Sequence, residues 1–421
     1  MRIPTVILAS FAALALAAGC SSSKSSSTTP PGDDGTSDGG GDDGGGSLVT
    51  ASFQMSLDVP AGGEYFKCQM VQLPDVPAFM VKGQHDYTPG SHHMLLISTM
   101  LSAIPSGLDQ VQDCYEGSGS NIMSYGRGVL YGGQTPMGQE VLPPTIGLPT
   151  TASEVLIFQV HYLNATASDI QAQVNVSLTL DTNPADIQTR AGTLFFYDPF
   201  IDVPAGATAK AVMRCPIPDD ITLLYASSHY HSRGVGYSAW VDSTTQLGTT
   251  PFYTSASWNS PPLQQMSMPV AGGSMLRWEC DYDNSQGTAE YFQGQSALTD
   301  EMCMFNGVYY PDMGIAADFC LSGADMFGVG STACGDTLTC LGTCGGKVSI
   351  GGISAASASP CTQKCMVQSC PTAADPLIPI LDCIQSSCSS QCATAGSSAC
   401  TACVASSCAA PYQTCAAHTC N

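Results

Sequence analysis

Charge is scarce in this sequence, and positive charge scarcest: only 11% of the 421 residues are charged, with 12 Lys and Arg against 34 Asp and Glu, for a formal net charge of -22. A surface so poor in cations repels a phosphate backbone, which excludes nucleic acid as a partner. Long amphipathic helical patterns are also missing, which excludes a helical bundle. Beyond the first twenty residues no apolar run approaches the roughly 20 residues needed to cross a bilayer. Histidine is rare too, with seven in the chain, so the way they are grouped carries information.

What the chain has in excess is cysteine: 21 residues, which fits an oxidising compartment far better than a reducing cytosol. Met1 to Cys20 reads as a bacterial lipoprotein signal. Arg2 gives a short basic start, Val6 to Ala18 an apolar run, and Ala17-Ala18-Gly19-Cys20 a small-residue cleavage site. Cys20 would carry the lipid, so the expectation is an exported protein anchored to the bacterial membrane, on the periplasmic or surface face of the outer membrane. The other twenty cysteines form an even set, as complete disulfide pairing requires.

Five segments follow from composition. Residues 1–20 are the signal and residues 21–47 a Ser, Gly, Asp, Thr and Pro tether with nothing to form a core. Such a tether has a typical end-to-end distance of roughly 30 Å. Between Leu48 and Ser322 short alternating runs recur between Gly, Pro, Asn and Asp, as in Val155-Leu156-Ile157-Phe158-Gln159-Val160-His161-Tyr162 and Val174-Asn175-Val176-Ser177-Leu178-Thr179-Leu180. These are strand signatures, and they predict a mostly β body of two antiparallel sandwiches of jelly-roll type, 48–185 and 186–322, divided near Asn183 to Gly192. From 323 to 421 the composition turns to Ala, Ser, Thr and Cys, with fourteen cysteines between Cys334 and Cys420. Here Cys361, Cys365 and Cys370 are spaced four then five apart, and Cys383, Cys388 and Cys392 five then four. The mirrored steps keep side chains near one helical face and predict two antiparallel helices stapled as Cys361–Cys392, Cys365–Cys388 and Cys370–Cys383. Disulfides are favoured over a metal there, because His418 is the one histidine of the segment and zinc-type CxxC spacing does not recur beyond Cys400/Cys403. Such a tail suits a surface partner.

Five of the seven histidines are concentrated: His92-His93, His161, and His229-Tyr230-His231. On a strand, residues i and i+2 share a face, so His229 and His231 can present two imidazoles to one ion. Adjacent His92 and His93 would point to opposite faces of a regular strand. Their coordination of one ion requires an irregular backbone or different ring nitrogens, and the preceding Pro89-Gly90 permits such irregularity. Taken alone, His161 is a packed strand histidine and Met302 a core methionine.

Four ordered motifs change that reading. Ser91-His92-His93-Met94-Leu95-Leu96, Phe158-Gln159-Val160-His161-Tyr162, His229-Tyr230-His231 and Asp300-Glu301-Met302-Cys303 resemble those of the type II copper, ascorbate-dependent monooxygenases, the family of peptidylglycine alpha-hydroxylating monooxygenase and dopamine beta-hydroxylase. The resemblance spans roughly Leu48 to Ser322. It implies an oxidoreductase with two copper ions per chain, held across an interdomain cleft. One ion would be bound by His92, His93 and His161 and supply electrons. The other would be bound by His229, His231 and Met302, the catalytic set, and meet O2. It also implies disulfides Cys68–Cys114, Cys215–Cys320 and Cys280–Cys303, with one further bridge of the amidating enzymes missing. Ligand chemistry agrees, since a thioether suits Cu(I) and imidazole serves both copper states.

The resemblance further implies hydroxylation of a C–H bond of a small organic substrate, with O2 and an ascorbate-like reductant. The alternative is a copper-binding or adhesion lipoprotein without turnover. Where the amidating enzymes grip a carboxylate, this chain has Ser227, Met304 and Asn306, so a peptide C-terminus is disfavoured.

Overall fold

The computed structural model describes residues 48–115, 122–320, 325–344, 359–394 and 396–420. The signal segment, the tether and the lipidation residue Cys20 lie outside the described residues. Among the described residues no helix is long and apolar enough to cross a membrane.

The first half contributes β1 (Leu48–Val59), β2 (Glu64–Gln72), β3 (Ala78–Tyr87), β4 (Ser91–Ser98), β5 (Gln112–Asp113), β6 (Gly128–Gly133), β7 (Met137–Val141), β8 (Ile146–Thr150), β9 (Val155–Leu163), β10 (Ile170–Asp181) and β11 (Thr189–Arg190). They form two sheets, β1-β10-β3-β8-β11 with β7 also on β3, and β5-β2-β9-β4-β6. Alternation explains why they pack. Leu156, Phe158, Val160 and Tyr162 of β9 join Met94 and Leu96 of β4 in a core shared with Met55, Leu57, Val174 and Leu178 of the opposite sheet. The intervening residues Val155 and Ile157 face a smaller cluster with Cys68, Met70 and Cys114. With both faces covered, β9 is buried along nearly its whole length. One pairing departs from the antiparallel expectation: β11 runs parallel to β8 over two residues.

The second half contributes β12 (Gly192–Tyr197), β13 (Asp202–Val203), β14 (Thr208–Pro216), β15 (Ile221–Tyr230), β16 (Gly234–Asp242), β17 (Tyr253–Ser255), β18 (Gln264–Val270), β19 (Met275–Asp283), β20 (Tyr291–Phe292), β21 (Cys303–Tyr310) and β22 (Asp325–Phe327). Sheets β12-β21-β15-β18 and β17-β16-β19-β14-β22 enclose Phe196, Leu223, Tyr237, Trp278 and Phe305, and β13 pairs with β20. Leu224, Tyr225 and Val308 of this half belong instead to the core of the first, so the two halves meet through a packed apolar seam.

Among the described residues five helices follow the short α1 (Ile315–Asp318): α2 (Cys334–Thr343), α3 (Pro360–Gln368), α4 (Ala374–Ser387), α5 (Ser398–Ser407) and α6 (Ala409–Ala416). The change of composition at 322/323 is not a break in the core. Leu377, Ile380 and Leu381 of α4 and Met366 of α3 continue the hydrophobic cluster of the second sandwich. Gln363 of α3 reaches into the body, its Oε1 accepting from the backbone N–H of Ile201 at 3.3 Å and of Gln293 at 2.7 Å.

The three body disulfides pair as the resemblance implied. The expected tail staples do not form. Cys361 and Cys365 bridge back to Cys344, just past the end of α2, and Cys340 on α2, whereas Cys383 and Cys388 bridge forward to Cys408, just past the end of α5, and Cys403 on α5, with Cys392–Cys400 closing the turn. Mirrored spacing between antiparallel helices holds, but each helix mirrors a neighbour closer in sequence than the one chosen. Cys334–Cys415 and Cys370–Cys420 then tie α6 to the rest, so every cysteine other than Cys20 is paired.

Candidate metal centre

Local backbone irregularity builds the first group of ligands. On β4 the ladder with β9 pairs Ser91 with Tyr162 and then His93 with His161, a shift that leaves His92 as an extra residue. Gly90, with φ at +117°, supplies the turn into this bulge at a value that other residues rarely adopt. The bulge cancels the alternation that would send His92 and His93 to opposite faces. Both rings therefore approach His161, with centroids 5.1 Å from it in each case.

The second group stands on regular alternation. A register shift near Leu224 in β15 leaves Ala226 and Tyr230 in the sandwich core, while the intervening Ser227 and His229 face the first half. On β21 the partner of His229 is Met304 and that of Tyr230 is Cys303. Met302 thus stands one step beyond the ladder, where continued alternation would put it on the face of His229 and Met304. It is half-buried, and its carbonyl accepts from the Tyr282 hydroxyl at 2.8 Å.

The two groups were expected on opposite sides of a cleft, and the structure corrects this. His92 and His229 have ring centroids 4.6 Å apart and His93 and His229 5.0 Å. Potential ligand nitrogens of His92, His229 and His231 lie within 4.8 Å of one another, and so do those of His92, His93 and His161. His92 is the shared corner. The reason is the bulge, which aims His92 at the second sandwich, together with the apolar seam that closes the halves around it.

Hydrogen bonds engage one nitrogen in four of the five rings. His93 donates from Nε2 to Gln159 Oε1 (3.3 Å), His161 from Nε2 to Glu64 Oε1 (2.8 Å), His229 from Nδ1 to Gln134 Oε1 (2.6 Å) and His231 from Nδ1 to the Asp300 carbonyl (3.3 Å). Left buried and without a partner are both nitrogens of His92, Nδ1 of His93 and of His161, and Nε2 of His231. Each such orphan costs on the order of 1–3 kcal/mol. They fall in two overlapping groups that share His92, and neutral imidazole donors of this kind suit borderline cations.

Electrostatics agree. Burial, foremost, pushes the His93 imidazolium down to about 4 and that of His231 to about 3. Burial followed by repulsion from the neighbouring rings drives His92, His161 and His229 well below the ordinary histidine value. At neutral pH all five rings are uncharged, the form that can ligate a metal.

Supporting residues escaped the sequence reading. Arg233, two residues past His231, donates to Glu301 from its backbone N–H (3.1 Å) and from its guanidinium (2.9 Å), clasping the HxH strand to the residue before Met302. Burial still lifts Glu301 to about 7 against this cation. The Phe66 ring stacks on His161 at 3.8 Å, and Trp258 sets an edge against His92. Gln159 was findable, since alternation puts it on the face of His161. Glu64 and Gln134 were not, because their partners are remote in sequence. Where a carboxylate grip was sought, Ser227 pairs with Asn306 across the ladder, and Asn306 Oδ1 is buried without a partner.

Residues 204–327 match the family model described as copper type II ascorbate-dependent monooxygenase, C-terminal domain. That span contains His229, His231 and Met302 and excludes His92, His93 and His161. No curated protein matches the chain. Among solved structures it is similar to the major capsid protein P2 of bacteriophage PM2, at 10% identity and a TM-score of 0.21 over 61% of this chain and 97% of that one. It is also similar to PNGF-II, at 7% identity and a TM-score of 0.23 over 60% of each chain. Likenesses at these TM-scores bear on neither fold nor function.

Proposed function

We propose that this chain is a copper-dependent monooxygenase: an exported protein, held at a bacterial membrane through Cys20, that hydroxylates a C–H bond of a small organic substrate. The balance is one substrate, one O2, two electrons from an ascorbate-like reductant and two protons, giving the hydroxylated product and water. The observation that carries the reading is the gathering of five neutral, buried imidazoles, four of them with unpartnered nitrogens, in a chain whose second half matches the copper monooxygenase domain.

His92, His93 and His161 hold one ion and His229, His231 and Met302 the other, with His92 between them. Bound copper supplies the one-electron redox chemistry and the activation of dioxygen. The protein's own residues do the rest. Gln159, Gln134, Glu64 and the Asp300 carbonyl each take a ring N–H and so aim the opposite nitrogen into the site. The Arg233–Glu301 pair holds the Met302 segment against the HxH strand. The apolar seam between the halves keeps water from the rings.

Substrate selection follows from what flanks His229. Ser227, Met304 and Asn306 offer no cation, so a carboxylate gains no ion pair there, and an uncharged or amine-bearing substrate is the better fit. Copper-loaded protein given ascorbate, 18O2 and a panel of such substrates is expected to yield product carrying one 18O atom. Copper uptake with no labelled product across the panel would favour a non-catalytic copper-binding protein.

A further inference from the structure

Glu64, the first residue of β2, is in neither ligand set, yet its carboxylate is bound from three directions. Oε1 accepts from His161 Nε2 at 2.8 Å and from the backbone N–H of Ala297 at 2.7 Å, and Oε2 accepts from the Ser296 hydroxyl at 2.6 Å. Its partners lie 97, 233 and 232 residues away, one in the first sandwich and two in the second. The loop it grips is wound tightly. Ser296 Oγ accepts from the N–H groups of Leu298 (3.2 Å) and Thr299 (3.1 Å), and Asp300 Oδ2 accepts from the N–H of Ser296 (3.0 Å). The carbonyl of that same Asp300 accepts from His231 Nδ1.

We infer that Glu64 is a positioning residue that sets His161 and His231 together, by fixing one ring directly and the other through the Ser296–Asp300 loop. A carboxylate on Nε2 selects the tautomer of His161 that carries its lone pair on Nδ1, the nitrogen that is buried and unpartnered. The loop carbonyl selects the tautomer of His231 that frees Nε2. One side chain thereby holds the loop leading into Met302 against the first half and aims a ligand of each group. Its side chain is only 14% exposed, so water competes weakly for these bonds. The role toward copper rests on the function proposed above, whereas the role in holding the loop does not.

The test uses the full chain as wild type, Glu64→Ala and Glu64→Gln. Glutamine keeps an Oε1 acceptor for His161 and Ala297 and gives up only the charge and the bond from the Ser296 hydroxyl. In metal-free protein, Glu64→Ala is expected to speed amide exchange at Ala297 by about tenfold or more and Glu64→Gln to restore protection. In copper-loaded protein, Glu64→Ala is expected to alter the Cu(II) EPR hyperfine pattern of the three-histidine centre and weaken its affinity by about tenfold or more, with Glu64→Gln returning both toward wild type. Unchanged exchange and an unchanged spectrum in Glu64→Ala would overturn the inference, and so would a glutamine variant that behaves like alanine. A wild-type protein that takes up no copper would defeat the functional reading while leaving the exchange experiment intact.

Discussion

His92 and His229 lie with their rings 4.6 Å apart although they belong to different sandwiches. That contact joins what would otherwise be two separate ligand groups, and it makes His92 the residue whose loss reaches furthest. His92→Ala is expected to weaken copper binding at both groups, whereas His161→Ala should weaken only the three-histidine group. Copper titration followed by EPR separates the two. Equal effects of the two substitutions would mean that His92 is not shared.

Met302, one residue before the Tyr230–Cys303 pair that ends the ladder, is the proposed soft donor of the second group. Met302→Ile removes the thioether and keeps an apolar side chain of similar bulk. The expected outcome is loss of labelled product with copper retained at His92, His93 and His161, read by product analysis and metal content. Full activity in Met302→Ile would assign the oxygen site elsewhere.

The strand content and the HxH pair were legible because period-2 alternation is local: a strand needs only its own sequence to show which residues share a face. The bulge at His92 was foreshadowed by Pro89-Gly90 and by the geometric impossibility of two adjacent histidines sharing one face of a regular strand. Nothing local, however, says that β4 and β15 meet across the seam, or that Glu64 finds Ala297. The tail shows the same limit. Its mirrored cysteine spacing correctly announced antiparallel stapled helices, but Cys361 and Cys365 have more than one mirrored set to choose from, and proximity along the chain decided.

The tail's fusion to the body has a stability consequence. Ile380 is fully buried in the cluster it shares with Trp278 and Phe305 of the second sandwich. Ile380→Ala should cost about 2–5 kcal/mol, lowering a transition common to tail and sandwich. Fluorescence of the tryptophans and far-ultraviolet circular dichroism, followed through denaturant, check it. A tail that melts alone, with the β signal unmoved, would show that the two are independent.

Two buried acids away from the histidines set a pH dependence. Burial lifts Glu140 and Asp198 each to about 8, from ordinary values of 4.5 and 3.8. Both raised values mean that the folded chain holds protons the unfolded chain releases. Their stabilising contribution is therefore full below about pH 4 and is lost as pH rises through about 8. The denaturation midpoint should fall between pH 7 and pH 9, above the range in which the five depressed histidines add stability as pH rises, and Glu140→Gln with Asp198→Asn should reduce that fall. A slope unchanged in the double variant would place its origin in other groups.

Counting metal in the purified full-length chain tests the central claim most directly. Five converging imidazoles and Met302 predict two copper ions bound per chain, falling to one in Met302→Ile. A wild-type chain that takes up a single copper, or none, would contradict the account.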